Sequence, residues 1–169
     1  MGLLKIRTYP DPALRAKAKE VTEIEGALQR LIDDMTETMY AAPGVGLAAN
    51  QVGVLKQVLV VDVNTREESK YPLIVLINPV IASAEGNVEG EEGCLSLPGF
   101  TVVVERAAEV FVKGLDRQGK EIGVEASGLL AVALQHEIDH LHGKTILEKA
   151  SPVKRSFYKK RALKKSAAK

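Results

Sequence analysis

The sequence predicts a single α+β domain, and three observations support this. Hydrophobic patterns follow one another in the order helix, strands, helix, helix, whereas a doubly wound parallel sheet would alternate strands and helices throughout. A chain of 169 residues with 46% hydrophobic residues can bury one core but is short for two domains. The single cysteine excludes an internal disulfide scaffold and favours a reducing compartment.

Two helices are predicted before residue 45. Asp11 followed by Pro12 has the pattern of an N-cap and a first helical residue, so a short helix begins there. A longer helix is predicted over residues 25–42, where apolar residues recur at spacings of three and four and form one buried stripe. This stripe consists of Leu28, Leu31, Ile32, Met35 and Met39.

The middle of the chain predicts strands, and the remainder returns to helices. Runs rich in Val, Ile and Leu predict strands over residues 57–63, 73–82, 101–104, 109–115 and 121–126, with a hairpin turn at 116–119. Residues 128–142 have helical periodicity that ends at Gly143. Ser151 and Pro152 are typical of an N-cap and first turn, and they predict a final helix.

The net charge of +1 conceals two parts of opposite charge. Residues 1–150 carry 15 cations and 22 acidic residues, a net charge of −7, whereas residues 151–169 carry eight cations and no acidic residue. A lysine-rich end is often only solvated. The longest apolar runs are too short to span a bilayer, and the first residues do not form a signal peptide, so we expect a cytoplasmic protein with no membrane partner.

The strongest chemical signal is the pattern His136-Glu137-Ile138-Asp139-His140. On a helix, residues i and i+4 lie on one face, so both imidazoles can reach one metal ion with Glu137 beside them. A metal ion lowers the pKa of its bound water toward about 7, and a neighbouring carboxylate can move the proton, which suits hydrolysis. The alternative is a solvated helix face, which the otherwise apolar character of this helix disfavours.

The third ligand distinguishes the class of metal site. Two protease patterns do not match. One requires a histidine at position 146, where this chain has Ile146, and the other requires a glutamate well downstream, whereas no acidic residue follows Glu148. His142 lies at i+2 from His140 and points away from the shared face, so we interpret it as a surface histidine. Cys94 remains, and we favour coordination over a buried apolar role, because a Cys/His/His set leaves one tetrahedral position open for catalysis.

Residues 44–53 form a segment of small residues around Gln51. The segment lacks the Lys-Ser/Thr ending of a phosphate-binding loop. Its glycines and alanines permit close approach of a backbone, and the Gln51 amide can donate to a developing oxyanion. Tight packing is the alternative interpretation of such a segment.

Together, three motifs resemble the signatures of bacterial peptide deformylases, in that family's order and approximate spacing. They are GVGLAANQ at residues 44–51, EGCLS at 92–96 and QHEIDH at 135–140, and the similarity extends over most of residues 4–150. The resemblance implies hydrolysis of the formyl group from the N-terminal formyl-methionine of nascent chains, with release of formate. It also implies one divalent metal ion bound by Cys94, His136 and His140, which is Fe²⁺ in cells and is readily replaced by Zn²⁺, Ni²⁺ or Co²⁺.

The resemblance further implies roles for individual residues. Glu137 would take a proton from the attacking water and return it to the leaving amine, while the Gln51 amide and the Leu95 backbone N–H stabilise the oxyanion. The methionine pocket and the backbone pairing of the peptide fall on six further residues: Leu129, Val132 and Ala133, then Val45, Gly46 and Gly93. The predicted architecture is therefore α+β, with short antiparallel strands around a central metal-binding helix and a basic C-terminal helix.

One position departs from the family pattern. Many members carry a basic residue a few positions after the cysteine motif, whereas this chain has Thr101 there and Arg106 as the nearest cation. Because the substrate emerges from the ribosome, we predict that the basic tail contacts ribosomal RNA through phosphates. The tail offers only Val153, Phe157 and Leu163 as apolar anchors for a membrane surface.

Three other functions remain open at this point. They are a metal amidase for another N-acyl group, a peptidase, and a non-catalytic protein with a structural metal and an RNA-binding tail. Retention of Glu137 and Gln51 argues against the last, because structural coordination needs neither residue. No stable protein partner is expected.

Overall fold

A computed structural model describes residues 2–167 of the chain. The three helices are α1 (Gly26–Ala41), α2 (Gly128–Leu141) and α3 (Pro152–Ala167). The seven strands are β1 (Gly46–Ala48), β2 (Val58–Val61), β3 (Ile74–Glu85), β4 (Val88–Cys94), β5 (Leu97–Arg106), β6 (Glu109–Leu115) and β7 (Glu121–Ser127). Lys169 of the predicted basic tail lies outside the described residues. Within residues 2–167, no helix has the length and apolar character needed to cross a membrane.

Five strands form one antiparallel sheet in the order β1-β2-β3-β6-β7, and helices cover both of its faces. Successive residues of β2 show this arrangement, since side chains alternate between the two faces of a strand. Val58 and Val60 pack in the core that contains α1, whereas Leu59 and Val61 pack in the core that contains α2. The sheet thus holds α2 as a central, nearly buried helix, and the predicted α+β architecture is confirmed.

The remaining strands, β4 and β5, form a separate hairpin with its own apolar core. Phe100 of β5 and Tyr158 of α3 meet edge to face with ring centroids 5.0 Å apart. Tyr158 also directs its hydroxyl at the Pro98 carbonyl oxygen, 3.4 Å away. These contacts attach α3 to the hairpin.

The predicted helix boundaries agree with the structure to within one residue for α1 and α2. Both predicted N-caps are also present: the Asp11 side chain accepts from the Ala13 backbone N–H at 2.9 Å, and the Ser151 hydroxyl accepts from the Lys154 N–H at 3.2 Å. The turn at 116–119 joins β6 to β7, as predicted.

Two strands were not predicted from the sequence. β1 contains only three residues, too few to show a period of two, and a 3₁₀ turn (Ala49–Val52) follows it directly. β4 contains one apolar β-branched residue among acidic and glycine residues, and most of its length is exposed. The strand predicted over 101–104 is also longer, because β5 begins at Leu97.

Candidate active site

The structure brings Cys94, His136 and His140 together in one cluster. Helix α2 supplies the two histidines one turn apart, and Cys94 is the last residue of β4. The Cys94 Sγ atom lies 3.4 Å from His140 Nε2, which lies 3.2 Å from His136 Nε2. All three donor atoms are within 4.8 Å of one another.

The spacing of these donor atoms fits a tetrahedral metal ion. Zn–S and Zn–N bonds of about 2.3 Å and 2.0–2.1 Å at tetrahedral angles place sulfur and nitrogen about 3.6 Å apart and two nitrogens about 3.3 Å apart. The observed separations of 3.4 and 3.2 Å agree with both values. Burial, with a contribution from the nearby charges of His136 and Arg106, lowers the pKa of His140 well below its usual value, which keeps this imidazole neutral for coordination.

A network of charged side chains contacts His136 at Nδ1, the ring nitrogen that does not face the cluster. The Glu92 carboxylate contacts His136 Nδ1 at 3.0 Å and receives two hydrogen bonds from the Arg106 guanidinium, at 2.6 and 2.9 Å. Arg106 also donates to Asp139 at 3.0 Å. Burial alone would raise the pKa of Glu92, but the hydrogen bonds from His136 and Arg106 lower it, so the carboxylate remains ionised. Such an outer carboxylate orients a ligating imidazole and increases its basicity.

Glu137 lies beside the cluster, next to His136 on α2. Its side chain is buried, and its Oε1 atom has no hydrogen-bond partner among the described residues. Burial raises the pKa of Glu137 to about 7, although the nearby charges of His136 and Arg106 act in the opposite direction. A carboxyl group with this pKa can accept and release a proton near neutral pH.

Gln51 faces the cluster from the other side with a fixed amide orientation. Its Oε1 atom accepts from the Ala48 backbone N–H at 3.0 Å, which identifies the opposite atom as the NH₂ group. That group lies 3.7 Å from Cys94 Sγ and 3.2 Å from Ser96 Oγ. Leu95 and Ser96 form the turn between β4 and β5, so the Leu95 backbone directly follows the cysteine.

One groove of about 530 Å³ joins these groups. Of the residues predicted to bind metal, act in catalysis or bind substrate, only His140 is absent from its lining, because its side chain is completely buried. The lining includes Cys94, His136, Glu137, Gln51 and Leu95, together with the residues predicted to bind substrate, namely Val45, Gly46, Gly93, Leu129, Val132 and Ala133. His142 is exposed at the end of α2, outside the metal-ligand cluster, as predicted.

Sequence reasoning did not assign roles to Glu92, Ser96 or Asp139. The position of Glu92 carried a usable signal, since residues i and i+2 of a strand share a face and Glu92 precedes Cys94 by two. From the sequence, Arg106 is only the cation nearest to Thr101, and its contact with Glu92 is not predicted. Its side chain is only 5% exposed and is paired with Glu92 and Asp139, so it does not serve as a free cation.

A buried carboxyl group with a pKa near 7, an oriented amide donor and a Cys/His/His cluster at one groove define a metal-dependent hydrolase. Comparison with known proteins identifies the family. The family model described as polypeptide deformylase matches residues 3–156, and the chain belongs to this family. It is therefore a hydrolase of the N-formyl amide of peptides, and this membership excludes the non-catalytic and peptidase alternatives.

Individual relatives agree with this assignment along nearly the whole chain. The peptide deformylase of Thermodesulfovibrio yellowstonii is 58% identical, with 95% of this chain and 97% of that protein covered. The crystal structure of a Legionella pneumophila peptide deformylase is 45% identical, with a TM-score of 0.89 and coverage of 99% and 98%. The Ehrlichia chaffeensis peptide deformylase in complex with actinonin is 40% identical, with a TM-score of 0.91 and 98% of each chain covered.

Proposed function

We propose that Cys94, His136 and His140 bind a single divalent metal ion, and that the groove above it removes the formyl group from N-terminal formyl-methionine during protein synthesis. The observation that carries this proposal is the clustering of the three donor atoms, two of whose separations match tetrahedral coordination. Three protein ligands would leave the fourth tetrahedral position open. Thiolate and imidazole ligands suit Fe²⁺, Zn²⁺, Ni²⁺ and Co²⁺. We propose Fe²⁺ as the ion in cells, with the other three as replacements in purified protein.

When bound, the metal supplies Lewis-acid polarisation and a water of lowered pKa. Glu137 takes up the proton of the attacking water, because its carboxylate is buried, free at Oε1 and has a pKa of about 7. The same carboxyl group then delivers this proton to the departing amine of the peptide. No second acid is needed, since one group performs both transfers.

The Gln51 NH₂ group and the Leu95 backbone N–H stabilise the negative charge that develops on the formyl oxygen. The bond from the Ala48 N–H to Gln51 Oε1 supports this role, because it directs the NH₂ group toward Cys94 without movement of the side chain during reaction. Formyl is the smallest acyl group, and we propose that selectivity for it comes from limited space between these donors. A bulkier acyl group would displace one of them, which disfavours the alternative of a general N-acyl amidase.

Leu129, Val132 and Ala133 lie within the two turns of α2 before His136 and form the methionine pocket in this proposal. Val45, Gly46 and Gly93 pair with the peptide backbone as with an added strand, which binds peptides with little dependence on sequence. The relative from Ehrlichia chaffeensis was solved with actinonin bound, and we infer that the groove of this chain likewise accepts a ligand.

A formate-release assay on a formyl-methionyl peptide, combined with metal analysis, tests these roles. Gln51→Ala should lower kcat by about 10²–10³ while the bound metal remains, since the loss of one oxyanion donor typically has this effect. Cys94→Ala should instead lose metal and activity together. Wild-type kcat in Gln51→Ala would remove Gln51 from the mechanism, and equal activity on acetyl-methionyl peptides would favour the broader amidase.

The basic tail is proposed to bring the enzyme to the ribosome in the cytoplasm. Cations on the outer side of α3, including Lys160 and Lys164, are exposed and suited to phosphate contacts. Truncation before α3 would remove Tyr158 from its apolar core, so charge reversal is the cleaner perturbation. Co-sedimentation of Lys160→Glu/Lys164→Glu with ribosomes should be weaker than that of wild type at low salt, and equal binding across a salt series would contradict the proposal.

A further inference from the structure

The active-site groove does not end at the hairpin but continues onto helix α3. A second cavity of about 400 Å³ shares Gly99, Phe100 and Thr101 with the groove, and its opposite wall is α3. The shared residues belong to β5, whose Thr101 pairs with Gly93 of β4. The two cavities therefore adjoin at β5, and we call the surface that they form between Cys94 and α3 the path.

Two cations of α3 line this path. The Arg161 guanidinium lies 3.8 Å from the position that a Cβ atom on Gly99 would occupy, and it stacks on the Tyr158 ring with its carbon 5.5 Å from the centroid. The Lys154 ammonium lies 5.4 Å from the centroid of the Phe100 ring. Neither cation forms a salt bridge within the described part of the chain. The residues that both cavities share, Gly99, Phe100 and Thr101, are called the shared rim. Cation–π contacts with the two aromatic rings position both charges next to this rim, where an anion can approach them.

We propose that Lys154 and Arg161 bind the downstream residues of the formyl peptide and favour acidic side chains there. This inference rests on the proposed function, since it extends the same groove. Thr101 at the edge shared by the two cavities is exposed and uncharged, so the positive charge there comes from α3. Arg106 does not compensate, since Glu92 and Asp139 already pair with it.

The distances suit a short peptide. Gly93, adjacent to the ligand Cys94, is one strand spacing of about 4.8 Å from Thr101, and an extended peptide advances about 3.3 Å per residue. The shared rim at Thr101 is thus within the reach of the residues that follow the methionine. Apart from His136 and Glu137 at the cluster, the charged residues of the groove wall are Glu91, Glu92 and Arg66, and Glu92 is paired with Arg106. The two α3 cations thus give the far end of the path a positive balance.

The test compares kcat/KM for two peptides, formyl-Met-Ala-Asp-Asp and formyl-Met-Ala-Lys-Lys, each divided by the value for a neutral formyl-Met-Ala peptide. Wild type should favour the acidic peptide about threefold to tenfold at low ionic strength, through KM, because two exposed ion pairs are each worth about 0.2–1 kcal/mol. High salt should abolish the preference. The double variant Lys154→Gln/Arg161→Gln should lose it at any salt concentration.

The matched control is Lys160→Gln/Lys164→Gln, which removes the same charge from α3. Neither Lys160 nor Lys164 lines either cavity. It should keep the wild-type preference. A preference that survives in Lys154→Gln/Arg161→Gln, is equally lost in the control, or is absent in wild type would overturn the inference. Failure of the proposed function would appear differently, as absence of formate release from the neutral peptide.

Discussion

Gly46 offers a test of whether the position of Glu137 controls catalysis. A Cβ atom on Gly46 would lie 2.6 Å from Glu137 Oε2 and 2.9 Å from its Cγ. Observed Cβ contacts essentially never fall below 3.0 Å, so Gly46→Ala must displace the carboxylate by roughly half an ångström or more. The φ angle of Gly46 lies outside the left-handed region, so alanine introduces no backbone strain there.

We expect kcat/KM of Gly46→Ala to fall about 10- to 100-fold, because a misplacement of about 1 Å costs on the order of 10²-fold. Bound metal should remain, since the three atoms nearest to the added methyl group all belong to Glu137, which is not one of the three ligands. Overpacking costs about 1–3 kcal/mol, which lowers the Tm by several degrees without unfolding the protein. Gly90→Ala is the control, because a Cβ atom there meets nothing within 4 Å.

A double variant separates the effect on Glu137 from other causes. If Gly46→Ala acts through the carboxylate, then Gly46→Ala/Glu137→Gln should be no less active than Glu137→Gln alone, because the two substitutions impair the same step. Formate release and metal content are measured for all four proteins. Wild-type kcat/KM in Gly46→Ala, or full additivity in the double variant, would refute the proposed role of this contact.

Substitutions at three further positions, Glu92, Cys94 and Asn78, test the site, its surroundings and the fold. Glu92→Gln should weaken metal affinity about 10- to 100-fold in a chelator competition assay, because His136 loses its outer carboxylate, and unchanged affinity would contradict this. Cys94→Asp should keep a metal ion but shift its preference away from softer metals, as measured by metal analysis after loading with mixtures. Asn78→Ala should lower the free energy of unfolding by about 2–3 kcal/mol in chemical unfolding, since Asn78 has φ 52° and exchanges two hydrogen bonds with Val21. Asn78→Asp retains one of these hydrogen bonds and should lower it less.

The elements that could be predicted from the sequence are those whose signal is local. Helix α1 repeats its apolar residues over about three turns, and the caps at Asp11 and Ser151 depend only on the next few residues. Strand β4 could not be predicted in this way, because it forms by pairing with β5 and contributes little apolar surface. β1 depends in the same way on β2, which is 10 or more residues distant.

The same distinction applies to the site. The two histidines share a helix, so their proximity follows from a spacing of four. The addition of Cys94 required the fold, which places the end of β4 against α2. The network behind His136 was missed because Arg106 and Asp139 are 33 residues apart and meet only in three dimensions.

The position of Arg106 also shows how burial determines which cation can serve the substrate. An arginine that is 5% exposed requires anionic partners, and it has both Glu92 and Asp139. These two carboxylates therefore neutralise its charge, and one of them, Glu92, orients the proposed metal ligand His136. A positive charge for the far end of the peptide must then come from a side chain that is exposed and unpaired, and α3 presents Lys154 and Arg161 at the shared rim. In the proposed substrate path, α3 therefore forms the wall that carries these two charges.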